Sequence, residues 1–253
     1  MGESMSALLS NTSLLPEWFD SEQGRALIEE ECAALKTLVP DQFYRVALQV
    51  GLNNRTVMRD LSIEQAIYCD TVDMNDGEKG DRVIALPEAL PFAEGSVDLG
   101  FLFHTLDYCD DPHRVLREIS QILTHQGVLV VSGFHPYSLW GARRLMNQKQ
   151  APYDGRFISS AVLQDWLELL GFQTLTACML NYQFPDLKPR WRRHLKWMNS
   201  AGDRWWPTLG AVYVLVVKKQ LYSGVQVGRA VKPHRKWFPS VNPASARVVK
   251  KQG

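Results

Sequence analysis

The chain has 253 residues, 45% of them hydrophobic, and a formal net charge of +1. A chain of this length can bury the core of one ordinary α/β domain, and no apolar run approaches the roughly 20 residues that span a bilayer. The four cysteines are widely separated without a C-x-x-C pair, which argues against a disulfide framework and against a zinc or other metal site. The first residues lack the basic and apolar segments of a secretory signal, so a cytoplasmic protein is the expectation.

The small net charge hides a strong asymmetry along the chain. Residues 1–187 hold 13 Lys and Arg against 26 Asp and Glu, whereas residues 188–253 hold 15 Lys and Arg against Asp203 alone. Such a basic end can bind an anionic surface, either RNA or a membrane. It can equally lie across the acidic body of its own fold, and the sequence leaves both alternatives open.

Apolar periodicity predicts the elements of the first half of the chain. Asp20 and Gln23 resemble a capping box that opens a helix. The buried face of this helix is predicted to consist of Ile28, Cys32, Leu35 and Val39. Strands are predicted over residues 46–51 and 65–69, followed by a polar loop over residues 73–81.

The middle of the chain predicts a strand, a helix and a second strand. Residues 97–103 are nearly continuously apolar, as expected for a parallel strand buried on both faces. A pair of aspartates stands before Pro112, which places a carboxylate at the N-cap and proline at the first helical position. Gly127 is predicted to end the connection to a buried strand at residues 128–131. This order predicts a right-handed crossover unit of an α/β sheet.

The last third of the predicted domain holds a helix, two strands and an insertion. The helix covers residues 157–170 and stops at Gly171. The strands cover residues 172–180 and 211–217. Between them, residues 186–210 form a basic, tryptophan-rich amphipathic segment, which suits a membrane interface, a bulky apolar substrate or RNA. A lid helix that buries its tryptophans against the sheet is the alternative.

Two motifs carry a family resemblance. L-P-F-x-x-x-S-x-D begins at Leu90, and D-P-x-x-x-L-R-E-I begins at Asp111. With these motifs the chain resembles class I S-adenosylmethionine-dependent methyltransferases, in particular the type 11 and quinone-methyltransferase branch. The resemblance implies a Rossmann-like α/β fold with a mostly parallel seven-stranded sheet flanked by helices. It implies a domain over residues 1–219, a basic tail over residues 220–253, and S-adenosyl-L-methionine as the cofactor.

The resemblance also implies a cofactor turn after the first strand, where the family has D-x-G-x-G-x-G. Here that place reads Q-V-G-L-N, so Gly51 remains, Gln49 replaces the acidic residue, and Asn53 can still adopt a positive φ more readily than most residues. This departure predicts weaker cofactor binding than is usual for the fold. A tight turn without a ligand is the alternative.

The nucleoside contacts implied by the resemblance follow the second strand and precede the L-P-F motif. Asp70 lies nineteen residues after Gly51 and would bind the ribose hydroxyls. Leu86 stands where the family has the adenine-side acid. The residues predicted to bracket the base are Leu86, Pro87, Glu88 and Ala89.

The residues that follow the fourth and fifth strands are predicted to surround the methyl group, because open α/β sheets bind ligands at this edge. Phe103 and Thr105 are expected to contact the cofactor. His104 is the first candidate for a base or an orienting residue, with Asp107 one helical turn on to polarise it, and a structural histidine is the alternative. The residues expected to contact the acceptor are His135, Tyr137 and Trp140.

The sequence therefore predicts S-adenosylmethionine-dependent methyl transfer to a small or amphiphilic, lipid-like acceptor. A catalytically inactive methyltransferase-like binding or regulatory protein is the alternative, because the cofactor turn has lost most of its glycines. Methylation of RNA is a third possibility that depends only on the basic C-terminal third.

Overall fold

The computed structural model describes residues 18–51, 57–71, 81–146, 151–185 and 208–220. Within these ranges seven strands form one sheet in the order β3-β2-β1-β4-β5-β7-β6. The strands are β1 (Tyr44–Val50), β2 (Ile63–Asp70), β3 (Asp81–Ile84), β4 (Val97–Phe103), β5 (Leu123–Phe134), β6 (Phe172–Leu180) and β7 (Val212–Lys219). The helices are α1 (Glu22–Leu38), α2 (Thr105–Tyr108), α3 (Pro112–Ile122), α4 (Leu139–Met146) and α5 (Ser160–Leu169).

Strands β1 to β5 run parallel to one another, and β7 runs antiparallel between β5 and β6. The predicted Rossmann-like, mostly parallel sheet of seven strands is confirmed. Phe134 at the end of β5 and Leu180 at the end of β6 both pair with Val212 at the start of β7. The carboxyl ends of the parallel strands and the start of β7 therefore meet at one edge, which we call the carboxyl edge.

Capping side chains explain where the helices begin. The Ser21 side chain accepts a hydrogen bond of 3.1 Å from the backbone N–H of Gly24, so Ser21 is the N-cap of α1. The predicted cap at Asp20 was wrong by one residue. Asp111 accepts hydrogen bonds from the two N–H groups that follow Pro112, at 3.0 and 3.1 Å, and this predicted start of α3 is confirmed.

Helices cover both faces of the sheet and make two apolar cores. The core on one face includes the buried side of α1, and the core on the other includes α3 and α5. The buried face of α3 consists of Val115, Leu116, Ile119 and Ile122. Each of these side chains contributes about 1.5–3 kcal/mol through burial. The two cores hold the strands rigidly and thereby fix the carboxyl edge.

Several element bounds differ from the prediction. β5 begins at Leu123 directly after α3, rather than after Gly127, because Leu123 already pairs with Val97 across a register shift in β4. α5 begins at Ser160 with Ser159 as its N-cap, and Gly171 ends it with φ +84°, as predicted. Strand β3 was not identified from the sequence, because it is short and lies mostly at the surface.

Parts of the prediction lie outside the described residues. These are Asn53, the polar loop after β2 up to residue 80, most of the basic insertion (186–207) and the tail from residue 221. Within the described ranges, no helix is long and apolar enough to cross a membrane.

Candidate active site

Gly51 ends β1 in a position that only glycine fits. Its φ is +73°, and a Cβ atom placed on it would lie 2.7 Å from the hydroxyl of Thr105 and 3.3 Å from the carbonyl oxygen of Phe103. The Thr105 hydroxyl donates a 2.7 Å hydrogen bond to the carbonyl of Val50. Thr105 and the Phe103 carbonyl therefore pack directly against the cofactor turn, while the Phe103 side chain is buried in the core.

Asp70 lies beside this turn, at the end of β2. The N–H of Gly51 donates to the carbonyl of Cys69 at 3.2 Å, which ties the end of β1 to the end of β2. The Asp70 side chain keeps about a tenth of its surface exposed, and its Oδ2 lies 3.8 Å from Nε of Arg82. A carboxylate with some open surface stands at the place that the sequence predicted for the ribose contact.

The stretch from Leu86 to Ala89 forms a tight turn next to Asp70. The N–H of Ala85 donates to the Asp70 carbonyl at 3.0 Å, and the N–H of Ala89 donates to the Leu86 carbonyl at 3.0 Å. Leu86 is 60% exposed and offers an apolar surface there. Pro87 is buried, so the turn is fixed against the core.

Two further side chains, those of Glu88 and Gln49, form hydrogen bonds within the protein. Glu88 accepts a 3.2 Å hydrogen bond from the backbone N–H of Asp110, just before α3. Gln49 is buried, and its side-chain amide donates to the carbonyl of Gly51 at 3.4 Å. The neutral amide therefore holds the turn at the point where the resembled family has an acid.

His104 follows β4 and is fully buried between two carboxylates. Its Nε2 lies 2.9 Å from Oε1 of Glu31 on α1, and its Nδ1 lies 3.1 Å from Oδ2 of Asp107 on α2. The same Asp107 oxygen accepts a 3.0 Å hydrogen bond from the N–H of Phe134. We call Glu31, His104 and Asp107 the buried triad. It joins α1 to the carboxyl edge at the ends of β4 and β5.

The charge state of the buried triad follows from its surroundings. Burial by itself disfavours the imidazolium form of His104. The charge of Glu31 and the hydrogen bonds with both carboxylates outweigh this effect and raise the pKa of His104 to about 9. Burial raises the pKa of Asp107 above its ordinary value, and the hydrogen bond from His104 opposes the rise. The histidine is therefore positively charged at neutral pH.

This geometry bears on the roles considered for His104. Both ring nitrogens are engaged, the side chain has no exposed surface, and its backbone adopts the left-handed conformation with φ +51°. A base needs a free lone pair that the acceptor can reach, and His104 offers none in this arrangement. The arrangement favours the orienting role. Participation of His104 or Asp107 in a reaction stays a prediction.

The three residues after β5 that were expected to contact the acceptor differ in their surroundings. His135 is 6% exposed and Tyr137 is 72% exposed, and their ring centroids lie 5.7 Å apart. Trp140 is 1% exposed, and its indole N–H donates to the carbonyl of Gln183 at 3.2 Å. The structure thus brings His135 and Tyr137 together at the carboxyl edge. Trp140 packs instead in an aromatic cluster with Phe134, and its predicted contact with an acceptor stays a prediction.

The connection that contains the basic insertion leaves and re-enters the sheet at this edge. The N–H of His135 donates to the carbonyl of Ala211 at 2.8 Å, and the N–H of Ala211 donates to the carbonyl of Asn181 at 2.8 Å.

Among the described residues, no group of three or more His, Cys, Asp and Glu side chains is placed to hold a metal ion.

A known protein family matches the part of the chain that forms much of this edge. Residues 42–131, which include β1, β2, β4 and α3, match the family model described as a methyltransferase domain. Over these residues the chain is therefore similar to methyltransferase domains. The fold, with its seven-stranded sheet, is similar to those of solved methyltransferase structures.

The chain is also similar to individual relatives and to solved structures. The chain is 39% identical over 141 residues to the uncharacterized protein YafS of Escherichia coli strain K12, and this match covers 55% of either chain. It therefore spans about half the length of that relative. A methyltransferase from Thermotoga maritima, described as a possible histamine N-methyltransferase, shares 21% identity at a TM-score of 0.62, over 81% of this chain and 93% of its own. The [4+2]-cyclase SpnF shares 15% identity at a TM-score of 0.55, over 75% and 80%.

Two buried polar residues were not predicted from the sequence. Glu31 is the α1 partner of His104, and Tyr213 on β7 holds a buried hydroxyl near His135. A signal for each was present. Glu31 interrupts the predicted apolar stripe of α1 three residues after Ile28, and Tyr213 carries the one hydroxyl in the apolar run V-Y-V-L-V-V. A charged or hydroxyl group on a buried face requires a polar partner.

Proposed function

We propose that the protein transfers a methyl group from S-adenosyl-L-methionine to a small or amphiphilic acceptor at the carboxyl edge. One observation carries the proposal. Gly51, the Asp70 carboxylate and the exposed side chain of Leu86 come from separate parts of the chain and lie next to one another at this edge. Carboxyl edges are where open α/β sheets bind nucleosides.

The residues present fit the cofactor in three ways. The Asp70 carboxylate is suited to accept hydrogen bonds from the ribose hydroxyls, and Leu86 offers an apolar surface to the adenine. The backbone of Gly51 has no side chain to keep the methionine part away. The cofactor supplies an electrophilic methyl group on a sulfonium. Because Gln49 is neutral, the cation of the methionine part loses one attraction, and affinity should be modest.

An amphiphilic acceptor is supported by apolar side chains near His135. Tyr137 is 72% exposed, Phe184 after β6 is 50% exposed, and Leu209 before β7 is 43% exposed. All three belong to connections that meet at the carboxyl edge. Large apolar side chains at the surface favour a ligand with an apolar body.

A second candidate function is ligand binding without methyl transfer. It is favoured by Gln49 and Leu86, which leave the cofactor site without two of the acids that the family resemblance implies. The similarity to a protein named as a cyclase supports the view that this fold serves other chemistry. A third candidate, methyl transfer to RNA, is supported by the basic residues from 188 onward. The same charge also suits an anionic membrane.

Replacing Asp70 with asparagine should weaken binding of S-adenosyl-L-homocysteine about 10- to 100-fold. The ribose hydroxyls would lose charge-assisted hydrogen bonds, which are worth about 1.5–3 kcal/mol. The measurement is calorimetric titration of the full chain at neutral pH, with the melting temperature recorded for each variant.

Asp60→Asn is the matched control for this titration. Asp60 pairs with Lys36, and its side chain is about half exposed, just before the amino end of β2. Its affinity should equal that of the unmodified chain. Equal affinities for the two variants would remove Asp70 from the site and favour the second candidate if ligand still binds.

A further inference from the structure

His135 differs from His104 because its buried ring nitrogen, Nδ1, has no hydrogen-bond partner among the described residues. Only 6% of the side chain is exposed, so nearly all of the ring is held by the protein. Burial alone lowers the pKa of His135, which keeps the imidazole neutral at neutral pH. A neutral imidazole with a free lone pair can accept a proton.

Tyr213 reinforces this arrangement from β7. Its ring lies 6.5 Å from the ring of His135 at an angle of 87°, and its buried hydroxyl has no partner within the described ranges. A Cβ atom on Gly133 would come within 2.8 Å of the Tyr213 ring and within 3.3 Å of Oδ2 of Asp107. The missing side chain at Gly133 thus lets the phenol approach Asp107. Burial and the Asp107 charge both keep that phenol neutral by raising its pKa.

Among the described residues, two phenol rings contact the ring of His135, those of Tyr137 at the surface and Tyr213 in the core. Burial keeps the Tyr213 phenol neutral at neutral pH, and no ion pair joins the His135 ring to a carboxylate in the described part of the chain. His104 is the opposite case, because two carboxylates hold its proton. One histidine of the carboxyl edge is fixed in its charged form and the other in its neutral form. When the surroundings of two titratable groups shift their pKa values in opposite directions, the two groups are suited to different roles.

We propose that His135 accepts the proton of a hydroxyl acceptor, and that Tyr213 is a positioning residue which holds the His135 ring at the carboxyl edge. This inference rests on the proposed methyl transfer and adds the chemical class of the acceptor. A hydroxyl is a poor nucleophile until its proton is removed, whereas a carboxylate or thiolate acceptor would need no base.

The methyl transfer requires only the acceptor, the cofactor and His135. The hydroxyl oxygen forms a bond to the methyl carbon, the bond between that carbon and the sulfonium sulfur breaks, and its electron pair stays on sulfur. The hydroxyl proton passes to a ring nitrogen of His135, which becomes an imidazolium and later releases the proton to water. The exposed side chains of Tyr137, Phe184 and Leu209 would contact the apolar body of the acceptor, so an aromatic hydroxyl fits best.

The first test follows the histidine ring by NMR without any acceptor. The His135 signal is assigned by its loss in His135→Gln and titrated in the full chain. It should titrate below 6.5, and it should shift when S-adenosyl-L-homocysteine is added, because the ligand would lie next to it. His125 at the amino end of β5 is the internal control, and its signal should not respond to the ligand. A His135 signal that ignores bound ligand, or that titrates at or above 6.5, overturns the proposal.

The second test measures methyl transfer to a series of simple phenols of decreasing pKa. His135→Gln should slow transfer to unactivated phenols about 100-fold or more, and the loss should shrink as the phenol ionises by itself. His125→Gln should behave as the unmodified chain. Tyr213→Phe should give a smaller loss, with the titration of His135 altered.

The outcomes of the second test separate the two proposals. An equal loss for every phenol would assign His135 a structural role. Binding of S-adenosyl-L-homocysteine without transfer to any phenol would contradict the hydroxyl acceptor and leave the cofactor site intact. No binding of that ligand in calorimetry would overturn the proposed function itself.

Discussion

Replacing His104 with alanine is expected to lower the free energy of unfolding by about 3–5 kcal/mol. The reason is electrostatic. Glu31 and Asp107 are 0–1% exposed, and His104 supplies the positive charge and the hydrogen bonds that both of them use. Without it, two buried carboxylates face each other across a cavity. Urea unfolding at neutral pH measures the difference.

An exposed histidine gives the matched control for this loss. His125→Ala changes the same residue type at the surface near the start of β5 and should alter the free energy of unfolding by no more than about 0.5 kcal/mol. If His104→Ala lowers the free energy of unfolding by less than about 1 kcal/mol, the buried triad is not the ion cluster described above.

The same histidine predicts how stability depends on pH. The pKa of His104 is about 9 in the folded protein and near 6.5 in the unfolded chain. The folded state therefore holds its extra proton more tightly. The resulting stabilisation, about 3 kcal/mol, is fully present below pH 6.5 and is lost as the pH rises from 6.5 to 9. His104→Ala should lack this loss, and a series of urea titrations across that range tests it.

Gly51→Ala is expected to lower the free energy of unfolding by about 1.5–3.5 kcal/mol and to weaken cofactor binding at least 10-fold. An L-residue at φ +73° costs about 1–2 kcal/mol. The new Cβ would also displace the Thr105 hydroxyl, whose hydrogen bond to the Val50 carbonyl is worth about 0.5–1.5 kcal/mol. Unfolding and calorimetric titration measure the two effects.

Gly95→Ala separates backbone strain from crowding. Gly95 has φ +63°, and a Cβ atom there would meet no atom within 4 Å. This variant should therefore lose only about 1–2 kcal/mol and keep the cofactor affinity of the unmodified chain. Equal losses for both variants would mean that Thr105 does not support the cofactor turn.

Most of the sheet was predictable because its longer strands and helices carry their own local signals. Pro112 with its preceding aspartate gives the start of α3, and Gly171 gives the end of α5. The predicted bounds of an element were wrong where a long-range contact sets them. The pairing of Leu123 with Val97 extends β5 toward the helix, and no local pattern around Gly127 reveals it.

The candidate site was predictable where topology alone brings residues together. Gly51 and Asp70 end neighbouring parallel strands, so their proximity follows from the strand order. The burial of His104 was not predictable in the same way, because its partner Glu31 lies 73 residues earlier in the sequence. Sequence spacing indicated a histidine at the carboxyl edge, whereas its charge state depends on a helix that packs there in three dimensions.

The central claim is that the carboxyl edge between Gly51, Asp70 and Leu86 binds the cofactor. A crystal structure of the unmodified chain with S-adenosyl-L-homocysteine tests it most directly. We expect the ribose hydroxyls within hydrogen-bond distance of Asp70, the adenine against Leu86 and the homocysteine end over Gly51. A ligand bound away from this edge, or crystals that stay free of ligand at millimolar concentration, would contradict the claim.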